Sequence, residues 1–458
     1  GWWWLPEDPD RRIPGTLACS EEGNYLRLIG GFDDRIWVSD GPNSSHLAPE
    51  NKSWQIIHGE SSAAKITLID SIATNSNGPF IGSYTDQTVE ASRALVGIHL
   101  DDLESPCFTG INLALENLLT WSSQSAYSAS LALKESKLTG DGTINIRPVG
   151  ETIATLEPGI EISLEHSHTL PNFTHTRRVT TAMSKEEAYF KIRSMEPKSL
   201  KDITLYTKAL QDLITLASNR ASGIIYQELR APQSNKPISL YSKQVAKLDS
   251  EAKAQRPNEQ LFTLKDISFP DFLPKWLELE KRLGASCNML FGLRYITNGY
   301  VESRLLTAVT AAEALHRELD PAPEMPARRL RYARRKVLKA VPEDMRAWLE
   351  SKLAHNEPSL QARLNRLASR LHEPLKSKLL PDAGRWASYA SKARNSLAHR
   401  GIANPSPEQL YAITEVTAAV VMFVLLVESG VDAETINKSL RYNRDIHALT
   451  QLAQKHLA

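Results

Sequence analysis

The chain has little cysteine. Three occur in 458 residues, Cys19, Cys107 and Cys287. They are far apart, odd in number and form no CxxC pair. That argues against a disulfide framework and a zinc site, and for a reducing, cytoplasmic setting. Nucleotide motifs are also missing. With no GxxxxGK[ST] run and no strand–GxGxxG–helix pattern, nothing marks a phosphate-binding loop, and no cofactor is expected. No basic stretch followed by an apolar one opens the chain, so no signal peptide is expected; a first residue of glycine points to residues missing or cleaved ahead of it. The longest greasy run, 416–427, is shorter than the about 20 residues a bilayer span needs. It reads as a helix buried on all sides, and no membrane partner is expected.

Charge is balanced in total and uneven in place. The formal net charge is +1. Residues 286–458 hold 25 Lys and Arg against 17 Asp and Glu, leaving 29 against 36 in residues 1–285. The basic part is the natural partner for a polyanion such as RNA.

The hydrophobic patterning predicts an α+β protein in three parts. Residues 1–184 form a β-rich sandwich or barrel: short apolar runs at 26–29, 36–38, 54–57, 64–69, 143–146 and 160–164 are separated by turn residues. Ser39-Asp40-Gly41-Pro42-Asn43 and Thr139-Gly140-Asp141-Gly142 read as turns. Residues 185–285 form a mixed connecting region. A helix is expected to start at Ser184, with Glu187 completing a capping box. A second helix is expected over 205–217 and a strand over 223–231, followed by a polar segment, 232–260, that contains an exposed loop. Residues 286–458 form an all-α bundle. Its helices include one that carries Leu305, Leu306, Val309, Ala312, Leu315 and Leu319 and stops at Asp320-Pro321, a stiff Pro321/Pro323/Pro326 connector, helices near 328–339, 343–354, 359–371 and 382–400, and a last strong helix with Ser406 at its N-cap, Pro407 at its first position and Gly430 past its end.

Within that bundle Arg394-Asn395-Ser396-Leu397-Ala398-His399 carries chemistry. Arginine is always charged and grips a phosphate with two parallel donors; histidine exchanges protons near neutral pH. RNA cleavage needs both. The spacing is awkward, because residues five apart on a helix diverge by about 140°, whereas Asn395 and His399 share a face. Arg394 meets His399 only if the helix bends or begins there, or if a second chain completes the site. An exposed arginine and a satisfied histidine on an ordinary helix would give the same spacing.

The hexamer has the arginine–polar–histidine form of HEPN domains. The opening Gly1-Trp2-Trp3-Trp4-Leu5-Pro6, with Ile13-Pro14-Gly15-Thr16-Leu17 and Leu28-Ile29-Gly30, resembles the N-terminal domain of ApeA-type proteins. The helix containing Glu313 and the Arg394–His399 motif resemble their ApeA-like HEPN domain. This resemblance implies a bacterial anti-phage defence effector of the abortive-infection kind. It would cleave cellular RNA, with transfer RNA the implied target, by metal-free transesterification at a homodimeric cleft. Carried over, Arg394 would hold the scissile phosphate, His399 would act as general acid and base, and Asn395 would orient the phosphate or His399. A phage-derived trigger or inhibitor is the further implied partner. The alternative is a non-catalytic RNA-binding and dimerisation scaffold with a ligand-sensing β domain.

Other features admit two readings each. Arg328, Arg329, Arg331, Arg334, Arg335, Lys336 and Lys339 put seven cations in twelve residues with no acid. They suit an RNA-binding face with Tyr332 free to stack on a base, or equally a solvated face or a dock for the acidic N-terminal part. His166 and His168 would share a strand face, with Glu165 adjacent in sequence and His175 nearby; this set fits surface histidines better than a metal site. Trp2-Trp3-Trp4 fits a strand anchored in a β core better than a ligand platform. Asp382 and Arg385 are candidates to support the motif, or plain surface charges.

Overall fold

The tryptophans fix the first strand, β1 (Trp2–Leu5). Trp3 and Trp4 are buried and Trp2 is exposed. The Trp3 ring lies so close to Gly59 that a Cβ there would come within 2.2 Å of it. Glycine is therefore required opposite the indole, and the two residues are directly paired between β1 and its neighbour, the strand Ser53–Glu60. The computed structural model describes all residues except 33–36, 42–43, 48–51, 78–85, 158, 247, 249–252, 297, 355 and 402–404. Ile36, Pro42 and Asn43 of one expected strand and turn, and 247 and 249–252 of the expected loop, thus lie outside the described residues.

After β1 come β2 (Asp8–Ser20), β3 (Gly23–Ile29), a small hairpin of β4 (Trp37–Gly41) and β5 (Ser44–Leu47), then β6 (Ser53–Glu60), β7 (Lys65–Asn77) and β8 (Asp86–Val96). Six of them pair in the order β8-β3-β2-β1-β6-β7, and β7 pairs back onto β8, so the sheet closes into a barrel. Leu26, Leu28, Ile57, Leu68 and Val89 fill it around Trp3. Closure leaves no open edge inside the barrel.

β8 also belongs to a second layer. Its residues 86–91 pair with β3, while 93–96 pair with β18 (Ile238–Ser242). From β18 an open antiparallel sheet runs on through β17 (Ile224–Arg230), β9 (Phe108–Leu115), β16 (Glu186–Lys198), β13 (Ile160–His168) and β12 (Thr152–Glu157). Helix α2 (Leu200–Ser218) covers β9 and β16, with α1 (Leu118–Ser122) beside it. Two hairpins complete this part, β10 (Tyr127–Lys134) with β11 (Lys137–Ile146), and β14 (Asn172–His175) with β15 (Thr180–Met183).

The structure corrects three expectations. Residues 184–187 do not start a helix: β16 runs through them, with Ala188, Phe190, Ile192 and Ser194 buried at period two between β13 and β9. The turn of the β10–β11 hairpin is not at 139–142, which lies inside β11. It is Glu135-Ser136, both at positive φ (52° and 62°) as a two-residue hairpin turn requires. Gly142 is instead spared a side chain because a Cβ would press on Leu131 across the pair. The segment 232–260 holds β18, a strand paired on both edges, in addition to loop. Strands β16, β17 and β18, read from sequence as part of a connecting region, are thus built into the sheet.

The chain forms two compact units, one of residues 1–257 with 263–274, the other of 258–262 with 275–458. The second is helical: the later turns of α3 (Phe269–Arg282), then α4 (Gly284–Tyr295), α5 (Val301–Leu319), α6 (Ala327–Ala340), α7 (Glu343–Lys352), α8 (Leu360–Ala368), α9 (Leu375–Leu379), α10 (Ala383–Arg400), α11 (Pro407–Ser429), α12 (Ala433–Tyr442) and α13 (Arg444–Leu457). At its centre α11 packs against α5, α13 and α10. Ser406 caps it by accepting from the Gln409 amide, and Gly430 ends it at φ 91°. Its length and composition would suffice to cross a membrane, but most of it is buried within the unit. Even its hydroxyls are satisfied, Thr414 and Thr417 donating to the carbonyls of Leu410 and Ile413.

Candidate active site

Asp382 begins α10 by accepting from the Arg385 amide at 2.8 Å. It is a helix cap, and Arg385 turns to it and to the C-terminal residue Ala458. Neither bonds to the motif among the described residues. The buried stripe of α10 is Trp386, Ala390, Ala393 and Leu397, at helical spacing. Trp386 donates its indole N–H to Thr417 of α11 at 3.1 Å, which locks the motif helix to the central one.

The helix continues without a break through the motif and stops one residue later, where Gly401 takes φ 68° and donates back to the Leu397 carbonyl. The helix therefore neither bends nor begins at Arg394. Asn395 and His399 lie on the side opposite the buried stripe and are exposed. Arg394, with a third of its side chain accessible, leans toward α5. The two key residues thus diverge as the helical period requires.

Arg394 is held in place from two directions. One guanidinium nitrogen donates to Asn395 Oδ1 at 3.2 Å, and the other lies 3.9 Å from Glu313 Oε2 on α5. Glu313 also accepts from Arg317 at 3.0 Å. Arg317 in turn reaches Glu357 at 3.3 Å, and Glu357 is bound by the buried Arg363 at 2.7 Å. This row of alternating charges fixes Glu313 as the buttress of Arg394. The guanidinium has five N–H donors in a rigid fork, and these two contacts leave donors for a phosphate. His399 has no hydrogen-bond partner among the described residues. Sequence reasoning placed Glu313 on a matching helix and did not connect it to Arg394. The Glu313/Arg317 pair at i, i+4, in the favourable order, marks a charged face of α5 and not its partner on α10.

The other candidates fall elsewhere. The cations of 328–339 stand on α6, which buries none of its residues. Among β13 residues, His166 is half-buried with Nε2 3.0 Å from Ser122 Oγ, and burial lowers its pKa. Glu165 is taken up by Tyr189, Lys191 and Arg193, and no group of three or more potential metal ligands occurs among the described residues.

A family model described as ApeA N-terminal domain 1 matches residues 1–276, and one described as Apea-like HEPN matches residues 306–435. The second span contains Glu313, α6 and the Arg394–His399 motif. No curated protein and no solved structure matches the chain.

Proposed function

The chain belongs to the ApeA N-terminal domain 1 family and carries an Apea-like HEPN domain, and from that premise we propose that it is an endoribonuclease effector of anti-phage defence. The observation that carries the reading is the pairing of an exposed His399, with no hydrogen-bond partner among the described residues, and an Arg394 buttressed by Glu313 and Asn395 on the same short stretch of rigid helix. A histidine kept for packing would be buried; this one faces solvent.

In the proposed reaction His399 takes the proton of a ribose 2′-hydroxyl. The 2′-oxygen bonds to the adjacent phosphorus, and the bond to the 5′-oxygen breaks. A second imidazole protonates that oxygen, leaving a 2′,3′-cyclic phosphate and a 5′-hydroxyl. Arg394 neutralises the charge that builds on the non-bridging oxygens. One protomer cannot direct both side chains at one phosphate, because they diverge by about 140°. A two-fold axis beside 394–399 would supply two copies of each around one cleft. The active species is therefore a homodimer through the helical unit, with cellular RNA, transfer RNA included, as substrate and the β unit as its regulator.

The test is cleavage of total RNA by wild type and by His399→Ala, with the ends sequenced. The reading requires cyclic-phosphate ends that vanish in the variant; equal cleavage by both proteins would refute it. Mixing Arg394→Ala with His399→Ala chains examines the shared cleft, and recovered activity in the mixture is expected.

A further inference from the structure

Helix α6 is unusual in what it leaves unpaired. Among the described residues only Arg334 of its seven cations has an acid within ion-pair range, Glu350 of α7 at 3.8 Å. The other six crowd less than four turns of helix, where like charges at i, i+4 repel. A bound polyanion would relieve that repulsion. The cations are also shaped around a space. Arg331, Arg334, Arg335 and Lys339 join Arg346 and Glu350 of α7 in lining an open cleft of about 460 Å³. Arg334 is turned to Glu350, which leaves three arginine forks and an ammonium at the cleft, the donor set that grips phosphate.

A second observation narrows the ligand. Tyr332 is 68% exposed, and Trp348 on α7 is 57% exposed. On the helix Tyr332 neighbours Arg328, Arg335 and Lys336 at spacings of three and four. The apolar contacts of α6 are made by other residues: Leu330, Ala333 and Leu338 are the half-buried ones. Tyr332 thus stands among the cations and outside the packing. A positive groove that follows the backbone, with an aromatic ring on which a base can stack, is the arrangement that binds single strands. A paired stem is recognised through its shape, phosphates and ribose hydroxyls and makes no use of an exposed ring.

We propose that the α6–α7 hairpin is a binding site for a single-stranded stretch of RNA, its phosphates held by Arg331, Arg335, Lys339 and Arg346 and one base stacked on Tyr332. The choice of RNA as the polyanion rests on the nuclease reading above. The site would give that nuclease a preference for loops and unpaired ends.

The experiment uses the full chain carrying His399→Ala, so that the RNA survives, and fluorescence anisotropy with a short unstructured RNA and a blunt duplex across a salt series. The unstructured RNA should bind more tightly. Adding Tyr332→Ala should weaken that binding by roughly 5- to 100-fold without changing the salt dependence. Adding Arg331→Gln with Arg335→Gln should lower the slope of log affinity against log salt by about 1.4, two phosphate contacts on a single strand. Wild-type binding by both sets of variants would overturn the site, as would equal affinity for duplex with no effect of Tyr332→Ala. Unchanged RNA binding with an altered proteolysis pattern of the full chain would assign the helix to a protein contact and also overturn it. Failure of the nuclease reading is separate: it would appear as uncut RNA in the otherwise wild-type protein, whatever these affinities.

Discussion

Helices α11 and α6 belong to the same unit and have opposite surfaces. Along α11 nearly every side chain from Leu410 to Leu426 is buried, with no lysine or arginine among them. Along α6 no residue is buried and seven of the fourteen are cations. A helix apolar all round is buried, in a core or a membrane; one that buries none of its residues keeps its charged face in solvent. The first organises the fold and the second is available for a ligand. Between them, α10 is divided lengthwise, with Trp386, Ala390 and Leu397 joined to the framework and Asn395 and His399 turned outward.

If that division is real, function and stability should separate by face. The largest effect is expected at the outward face of α10. His399→Ala should lower RNA cleavage by about 10²–10⁴-fold, the usual contribution of general acid–base catalysis, with the melting temperature unchanged. A variant that melts earlier would show the histidine to be structural. Next is the framework. Phe423→Ala, inside α11, should cost about 3–5 kcal/mol in urea unfolding, whereas Lys336→Ala on α6 should stay within about 0.5 kcal/mol; similar costs at both positions would erase the contrast. Smaller again is the cap of α11: Ser406→Ala should cost about 1 kcal/mol, measured in the same way.

The smallest effect concerns pH. His316 on α5 is buried, with neither ring nitrogen hydrogen-bonded among the described residues and Asp320 Oδ2 at 3.6 Å. Burial lowers its pKa against the opposing pull of Asp320, and Arg363, Arg366 and Arg370 lower it further. The unfolded chain, with an ordinary value near 6.5, takes up a proton before the folded one does. Stability due to His316 is therefore constant above about pH 6.5 and declines as the pH falls below it. Denaturation midpoints at about pH 7.5 and 5.5 should draw apart less for His316→Gln than for wild type; an equal acid loss in both would remove His316 as a cause.

What the sequence made legible depended on whether local and long-range signals agreed. The cap, proline and closing glycine of α11 agree with its apolar run, and its bounds were readable. The Arg394–His399 hexamer stands out in the sequence because its residue types are chemically restrictive. At β16 the signals conflicted. Ser184 and Glu187 mimic a helix cap, while Ala188, Phe190 and Ile192 alternate as a strand; pairing with β13 and β9 decided the matter, and neither partner is near in sequence. The β10–β11 turn misled for a related reason, since two glycines drew attention away from Glu135-Ser136, where the chain reverses. The Glu313–Arg394 contact spans 81 residues, and no local pattern encodes a partner so remote.

Strand β8 gives the β unit a party wall. One of its edges is shared in series by β3 and β18, the other is taken by β7, and every segment of it holds neighbours in place. The barrel cannot come apart along that seam without unmooring the open sheet, nor the sheet peel away without fraying the barrel. Amide protons along 86–96 should accordingly exchange with solvent in one concerted opening, at a single free energy, and strands on both sides of the wall should report that same value.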